Sequence, residues 1–310
     1  MNPIVISGPT ASGKSAVAME LAERIGGEIV SVDSMQVYRG LDVGTAKPSA
    51  EDRARVPHHL VDVVGLREPF DAACFVRLAG AAIAETTARG RVPILCGGTG
   101  LYFNAWLGGL GSAPPPDPAL RAELEALETA ALLDELARMD PVTLDQIDLQ
   151  NRRRLVRAVE VIRLTGKPFS QQRARWPERG GAALTARAFG IERDRADLVR
   201  RIDERVERMF AAGLVAETRQ RLEEGLRENR TALQAIGYRQ VAEHLEGLRS
   251  LRATIEQVQA KTRQFSRRQR TWMQGQLDLE WLEVGAKEPA AVTAERIMAR
   301  LSASTGVPTG

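Results

Sequence analysis

The stretch that most limits what this chain can become is Asn2 to Ser15, NPIVISGPTASGKS. Three apolar strand formers, Ile4-Val5-Ile6, run into Gly8-Pro9-Thr10-Ala11-Ser12-Gly13-Lys14-Ser15, which satisfies G-x-x-x-x-G-K-[ST]. Val17, Leu21 and Ile25 then recur at helical spacing, with Gly26-Gly27 as the expected stop. Strand, glycine-rich loop and helix in that order are the context the motif requires. Successive backbone N–H groups of such a loop face an anion, and the helix adds its positive end. Lys14 brings a point charge to the phosphates, and Ser15 offers a hydroxyl to Mg²⁺. A di- or triphosphate site follows, but nucleotide hydrolysis does not. That would also need an acid for the metal and a reader of the base. No N-K-x-D guanine reader occurs in the chain. Asp62, after Leu60-Val61, is either a metal partner or a solvated acid at a strand end.

The first hundred residues alternate β-rich and helical runs, the rhythm of a parallel βαβ sheet. Strands are expected at Ile4–Ile6, Glu28–Asp33, Leu60–Val64 and within RVPILCGGTG (91–100), with a helix over Phe75–Ala88. Asp33 and Thr99 then lie at carboxyl ends of strands, the rim where open α/β sheets bind ligands. SAPPPDP (112–118) is a rigid breaker, and Ala119 to Thr165 reads as helical and strandless. Gly180-Gly181 marks a return to the sheet, followed by a strand over 186–193. An amphipathic helix with Leu198, Ile202, Val206 and Met209 inward comes next. A helix from Thr254 to Gln276, capped by Thr254 with Gln257, and a strand over Leu279–Val284 complete the pattern, and the tail from Ser302 should be disordered. The expected architecture is α/β: a P-loop NTPase-like parallel sheet flanked by helices (1–113 and 184–310) with an all-helical insertion domain (114–183).

Composition excludes several classes. With 44% hydrophobic and 27% charged residues, the chain is an ordinary globular protein. No run approaches a membrane span, and the first strand leaves no room for a leader, so a cytoplasmic protein is expected. Cys74 and Cys96 stand apart in apolar contexts, which favours buried thiols over a disulfide. Only His58, His59 and His244 accompany them, too few for a zinc cluster. Net charge is +3, from 43 basic and 40 acidic residues, but the cations are concentrated. QNRRRLVR (150–157) and RQFSRRQR (263–270) are basic blocks inside helices, where solvated charge and phosphate-backbone contact are both open.

DSMQVYRGLDVGTAKP (33–48) follows the second strand as a polar loop facing the phosphates. An ionised Asp33 there can take a proton from an amine or hydroxyl, and the Gln36 amide can read an adenine edge. Plain turn chemistry, which Asp-Ser commonly opens, is an equal alternative. GGTGLY (97–102) repeats the logic, with glycines for close backbone approach and the Thr99 hydroxyl at the rim.

Eight blocks, in order, carry a specific resemblance: GPTASGKS, DSMQVYRGLDVGTAKP, VPHHLVDV, GGTGLY, QNRRRLVRAVEV, RIDERVERMFAAGLVAE, AIGYRQ and TRQFSRRQRTW. Together they resemble the bacterial tRNA dimethylallyltransferase family from near the start to Trp272. The resemblance implies transfer of a dimethylallyl group from dimethylallyl diphosphate to N6 of the adenosine just 3′ of the tRNA anticodon. Pyrophosphate leaves and no ATP is hydrolysed. It makes Asp33 the general base and places Thr99, Lys14 and Arg201 at the reaction centre, with Arg195 in support. Gly8 to Ser15 and Arg201 would bind the diphosphate, with Mg²⁺ on Ser15. Ser34, Met35 and Gln36, with Asp33 and Thr99, would meet the target adenosine. Arg121 and the segment Gln150, Asn151, Arg152, Arg153 and Arg154 match tRNA contacts, which implies that the insertion grips the anticodon stem-loop. A monomer is expected. Three rivals remain at this point: a P-loop kinase, an adenylate isopentenyltransferase using free nucleotide, and an RNA-binding module with a vestigial loop. The kinase leaves the arginine-rich insertion unexplained, the second needs no insertion of this size, and intact Lys14 and Ser15 speak against the third.

Overall fold

The computed structural model describes residues 2–174 and 187–303 and divides the chain into two compact units, Met1–Leu107 with Pro177–Gly310, and Gly108–Trp176. The first unit begins with β1 (Ile4–Ser7), α1 (Lys14–Ile25), β2 (Gly27–Val32), α2 (Ala50–Arg55), β3 (His58–His59), α3 (Ala72–Ala88), β4 (Val92–Gly97) and α4 (Gly100–Gly108). The second contains α5 (Pro118–Ala126), α6 (Thr129–Met139), α7 (Pro141–Gln146), α8 (Arg152–Thr165) and α9 (Phe169–Gln172). The first resumes with β5 (Arg187–Glu192), α10 (Arg195–Ala211), α11 (Leu214–Arg221), α12 (Tyr238–Leu245), α13 (Leu251–Gln276), β6 (Glu280–Glu283) and α14 (Ala290–Ala303). Among the described residues no helix is long and apolar enough to cross a membrane.

The strands form one parallel sheet in the order β3-β2-β4-β1-β5-β6. β1 is buried on both faces, which is why it reads as an unbroken apolar run. Ile4 and Ile6 pack with Val17 and Leu21 of α1 and Ala294 and Ile297 of α14. Val5 points the other way, into a cluster with Phe75, Phe103, Tyr238 and Met273. Register then sets the site. Ser7 lies opposite Gly97, and Gly97 opposite Val32. The next residues out, Gly8, Gly98 and Asp33, therefore leave the sheet at one level on its carboxyl edge. Backbones approach closely there: a Cβ on Gly97 would sit 2.2 Å from the Val32 carbonyl oxygen.

Several local expectations are corrected. Gly26 alone caps α1, and Gly27 already belongs to β2. The third strand is His58–His59 rather than Leu60–Val64. Leu60 and Asp62 have φ of 61° and 57°, a left-handed backbone that breaks a ladder, and Val64 makes only an isolated bridge to Tyr38. α13 starts at Leu251, capped by Ser250, whose hydroxyl accepts from Ala253 N. Thr254 is buried one turn inside, its Oγ1 donating to Ser250 O at 2.9 Å. In α10, Ile202 and Val206 are buried as expected, Leu198 and Met209 only half-buried. Asp197 is buried too, because Arg193 and Arg200 pair with it. Cys74 is half-buried and Cys96 buried, both as free thiols.

The second unit is described by itself. Its core is Leu124, Leu132, Leu136, Leu155, Val156, Ala158, Val159 and Ile162, the stripe of α8 against α5 and α6. Buried Glu160 is held by Arg121 and Arg157, each at 2.6 Å, and by Asp117 N at 3.0 Å. Within this unit Gly111 makes an isolated bridge to Arg173. The boundary expected at 183, Gly180-Gly181 and all but the first two residues of the tail lie outside the described residues.

At the amino end of β2, the side chain of Glu28 is 3% exposed and receives Arg89 at 2.6 Å, His59 at 2.7 Å and Thr86 at 3.0 Å. Burial pushes its carboxyl pKa up, but these donors outweigh burial and hold it at about 2. A depressed carboxyl pKa stabilises the fold above the unfolded value, and that contribution is lost as pH falls through the folded one. Glu28→Gln should therefore lower the thermal midpoint at neutral pH. The gap to wild type should narrow between about pH 4.5 and about pH 2. A gap independent of pH would refute the ionic role.

Candidate active site

The phosphate loop, Gly8 to Ser15, is shaped by residues that hold its carbonyl groups. Pro9 O accepts from Lys14 Nζ at 3.3 Å and Thr10 O from Ser266 Oγ at 3.3 Å. Ala11 O accepts from Arg201 Nε at 3.0 Å and Ser12 O from Arg193 Nε at 2.7 Å. With four successive carbonyls engaged, the loop can keep amide N–H groups for an anion. Ala11 is a non-glycine residue at φ 68°, a conformation costing about 1 kcal/mol, and Arg201 bonds that residue. The Ser12 hydroxyl is buried with no hydrogen-bond partner. Gln269 ties the loop to the next one: its Oε1 accepts from Thr10 N at 2.9 Å, and its Nε2 donates to Gly98 O at 3.0 Å.

Beside the loop, Asp33 Oδ1 accepts from Met35 N at 2.8 Å and Gln36 N at 3.3 Å. Turn chemistry and a role as base are thus compatible, because one carboxylate oxygen forms the turn and, among the described residues, no hydrogen bond engages the other. Ser34 N donates to Thr99 Oγ1 at 3.1 Å, so the threonine accepts from the loop and keeps its own proton to give. The Gln36 amide is occupied within the chain. Its Oε1 accepts from Ser31 Oγ at 3.0 Å, and its Nε2 donates to Thr45 O and Ala46 O, each at 3.3 Å. Asp62 is likewise committed, to Lys47 at 2.5 Å and Arg53 at 2.7 Å, which leaves it unsuited to hold a metal.

Three cations share this pocket of charge. Burial lowers the pKa of Lys14, and Arg205 lowers it further against the pull of Cys96 and Asp33. Burial likewise lowers Arg201, with Arg193 adding to the effect. Arg205 is lowered by burial and pulled back by Asp33. Desolvated cations crowded together favour an anion between them. Burial pushes the neighbouring Cys96 thiol up to about 11, so it is not a thiolate near neutral pH. Ser15 is exposed at the start of α1, and Arg195 is exposed at the start of α10.

The residues expected to meet tRNA divide by environment. In the second unit, Arg121 serves Glu160, while Arg152 donates to Thr129 Oγ1 at 2.7 Å and to the carbonyls of Glu125 and Leu127. Asn151 caps α8 through Arg154 N. Gln150, Arg153 and Arg154 are exposed. On α13, Arg263 pairs with Asp203 and Arg270 with Glu192, whereas Arg267 and Arg268 are exposed. Phe265 and Trp272 are half-buried.

Sequence reasoning missed Arg193, Arg205, Ser266 and Gln269. Arg205 and Arg201 stand at i and i+4 on α10, and a pair of arginines on one helix face was the available signal. Nothing local marks Gln269, which acts across more than 250 residues.

Fold and site together define a P-loop protein whose anion cradle is completed by arginines from a helix late in the chain. The IPP transferase family model matches residues 36–276, and the Isopentenyl transferase model matches residues 1–63. The chain belongs to the IPP transferase family. It is 47% identical to the tRNA dimethylallyltransferase of Geobacter sulfurreducens, over 91% of this chain and 92% of the relative. Identity to that of Halorhodospira halophila is 48%, over 89% and 90%. The crystal structure of tRNA isopentenylpyrophosphate transferase from Bacillus halodurans matches at TM-score 0.70 and 35% identity, covering 98% of each chain. A eukaryotic dimethylallyltransferase acting on tRNA shares the fold at TM-score 0.78 and 24% identity, over 99% of this chain and 81% of that one.

Replacing Gln269 by Leu should leave the half-buried Thr10 N–H without this partner, at a cost of about 1 kcal/mol. Affinity for pyrophosphate, measured by calorimetry, should drop roughly tenfold. Unchanged affinity would show that the loop holds its shape without this clamp.

Proposed function

We propose that this chain is a tRNA dimethylallyltransferase. It moves the dimethylallyl group of dimethylallyl diphosphate onto N6 of the adenosine just 3′ of the anticodon and releases pyrophosphate without hydrolysing ATP. The observation that carries this reading is one row at the sheet edge: the phosphate loop, Asp33 and Thr99 leave adjacent strands at the same level. A diphosphate in the loop and an amine at Asp33 would be neighbours there. The names of the bacterial relatives support the same activity.

The chemistry follows from charge. The bond between the prenyl carbon and the bridging oxygen breaks, and the N6–carbon bond forms. Negative charge grows on the departing pyrophosphate, where Lys14, Arg201 and the backbone amides of Gly13, Lys14 and Ser15 at the start of α1 stabilise it. Asp33 takes the N6 proton, while Thr99 holds the loop that presents it. Mg²⁺, when bound, neutralises phosphate charge. Its donor set fits: Mg²⁺ needs one or two protein oxygens beside phosphates and waters, and Ser15 is exposed where the loop enters α1. Gln36, with its amide committed inside the loop, shapes the adenosine seat together with Ser34 and Met35. The target base must leave the anticodon-loop stack, as in base flipping. Arg153 and Arg154 of the second unit contact the phosphate backbone of the stem-loop.

Purified protein incubated with radiolabelled dimethylallyl diphosphate, Mg²⁺ and unmodified tRNA should move label into N6-dimethylallyladenosine with no ATP present. Label in free AMP instead would contradict the tRNA assignment. Asp33→Asn should lower kcat by about 10²- to 10⁴-fold with tRNA affinity roughly unchanged. Wild-type turnover would refute the base. Replacing Arg153 and Arg154 by Ala should flatten the dependence of log affinity on log salt by roughly 1 to 2. An unaltered slope would mean that these arginines do not contact the phosphate backbone.

A further inference from the structure

Glu217 lies on α11, outside the phosphate loop and the Asp33 segment, yet its carboxylate is spent on one short peptide. Asp42 N donates to its Oε2 at 3.3 Å, Val43 N to Oε1 at 3.1 Å and Oε2 at 3.0 Å, and Gly44 N to Oε1 at 3.5 Å. The Tyr238 hydroxyl donates to Oε1 at 2.5 Å and accepts from Gly44 N at 3.1 Å. Among the described residues no Lys or Arg pairs with Glu217, so neutral donors alone meet its charge. Hydrogen bonds to an ionised acceptor are roughly twice as strong as neutral ones. The seat is also shape-specific: a Cβ on Gly44 would come 2.4 Å from the Tyr238 ring.

The peptide so held is a tight turn. Ala46 N donates to Val43 O and Lys47 N to Asp42 O, each at 3.1 Å. Its far side, Thr45 O and Ala46 O, receives Gln36 Nε2. Gln36 N in turn donates to Asp33 Oδ1. Hydrogen bonds joined by short covalent stretches thus connect Glu217, through the turn and Gln36, to the Asp33 carboxylate.

We propose that Glu217, seated with Tyr238, is a positioning residue for the transfer reaction: it fixes the 42–46 turn and, through Gln36, aims Asp33 at the adenosine amine. This rests on the reading of Asp33 as the base. Glutamine at 217 would turn an NH₂ donor toward N–H donors, so the isosteric change Glu217→Gln breaks the seat without emptying it.

Three readings are taken on wild type and Glu217→Gln: steady-state transfer to tRNA, pyrophosphate affinity, and hydrogen–deuterium exchange of the 42–46 amides. The variant should lose roughly 10- to 100-fold in kcat/KM for tRNA, the scale of a misplaced catalytic group. Its pyrophosphate affinity should stay near wild type, and exchange should quicken in the 42–46 peptide ahead of the sheet. Should that variant fail to fold, Gly44→Ala disturbs the same seat from the loop side and should give the same pattern. Wild-type kcat/KM in the variant, or equal losses in tRNA turnover and pyrophosphate affinity, would overturn the proposal. Absence of transfer by the wild-type protein itself would overturn the reading of the site, and this inference with it, and that control separates the two failures.

Discussion

The site depends on the carbonyl groups of the phosphate loop being held, three of four by side chains from outside it. A loop can offer its N–H groups to an anion only if its carbonyls are satisfied elsewhere. Here Lys14, Ser266, Arg201 and Arg193 take four in succession, and three of these side chains come from the far half of the chain. Residues beyond the first half of the chain thus shape the loop, although the motif itself ends at Ser15. The same contacts bring cations out of water around the loop, which raises their preference for a diphosphate.

The parallel sheet converts that local device into a reaction centre. β1, β2 and β4 are in register at their carboxyl ends, so three loops of different chemistry start from one level. One carries the glycine-rich motif, one carries Asp33, one carries Thr99, and Ser34 N bonded to Thr99 Oγ1 locks the last two together. Glu217 and Gln269 extend the principle, since each spans distant segments to hold a loop in place.

Local signals made much of this legible. The phosphate loop and the strand ends at Asp33 and Thr99 follow from motif and periodicity, because each is decided within a dozen residues. Failures occur where the decision is made at a distance. Leu60 and Asp62 look like strand residues, but Lys47 and Arg53 hold Asp62 in a turn. Nor does local sequence show that Arg121 bonds buried Glu160 or that Arg152 bonds loop carbonyls. The Gln36 amide has three partners inside its own neighbourhood that no local pattern shows. Ser250 rather than Thr254 caps α13 because helix starts are fixed by the whole packed element, not by the nearest capping pair.

The central claim is that the loop holds the diphosphate of a prenyl donor and not a nucleoside triphosphate. Calorimetric titration with an unreactive dimethylallyl thiodiphosphate, and separately with ATP, both with Mg²⁺, tests it most directly. The account predicts that the thiodiphosphate binds, that pyrophosphate displaces it, and that Lys14→Ala abolishes binding. Tight binding of ATP that the prenyl analogue cannot displace, together with release of its γ-phosphate, would contradict it.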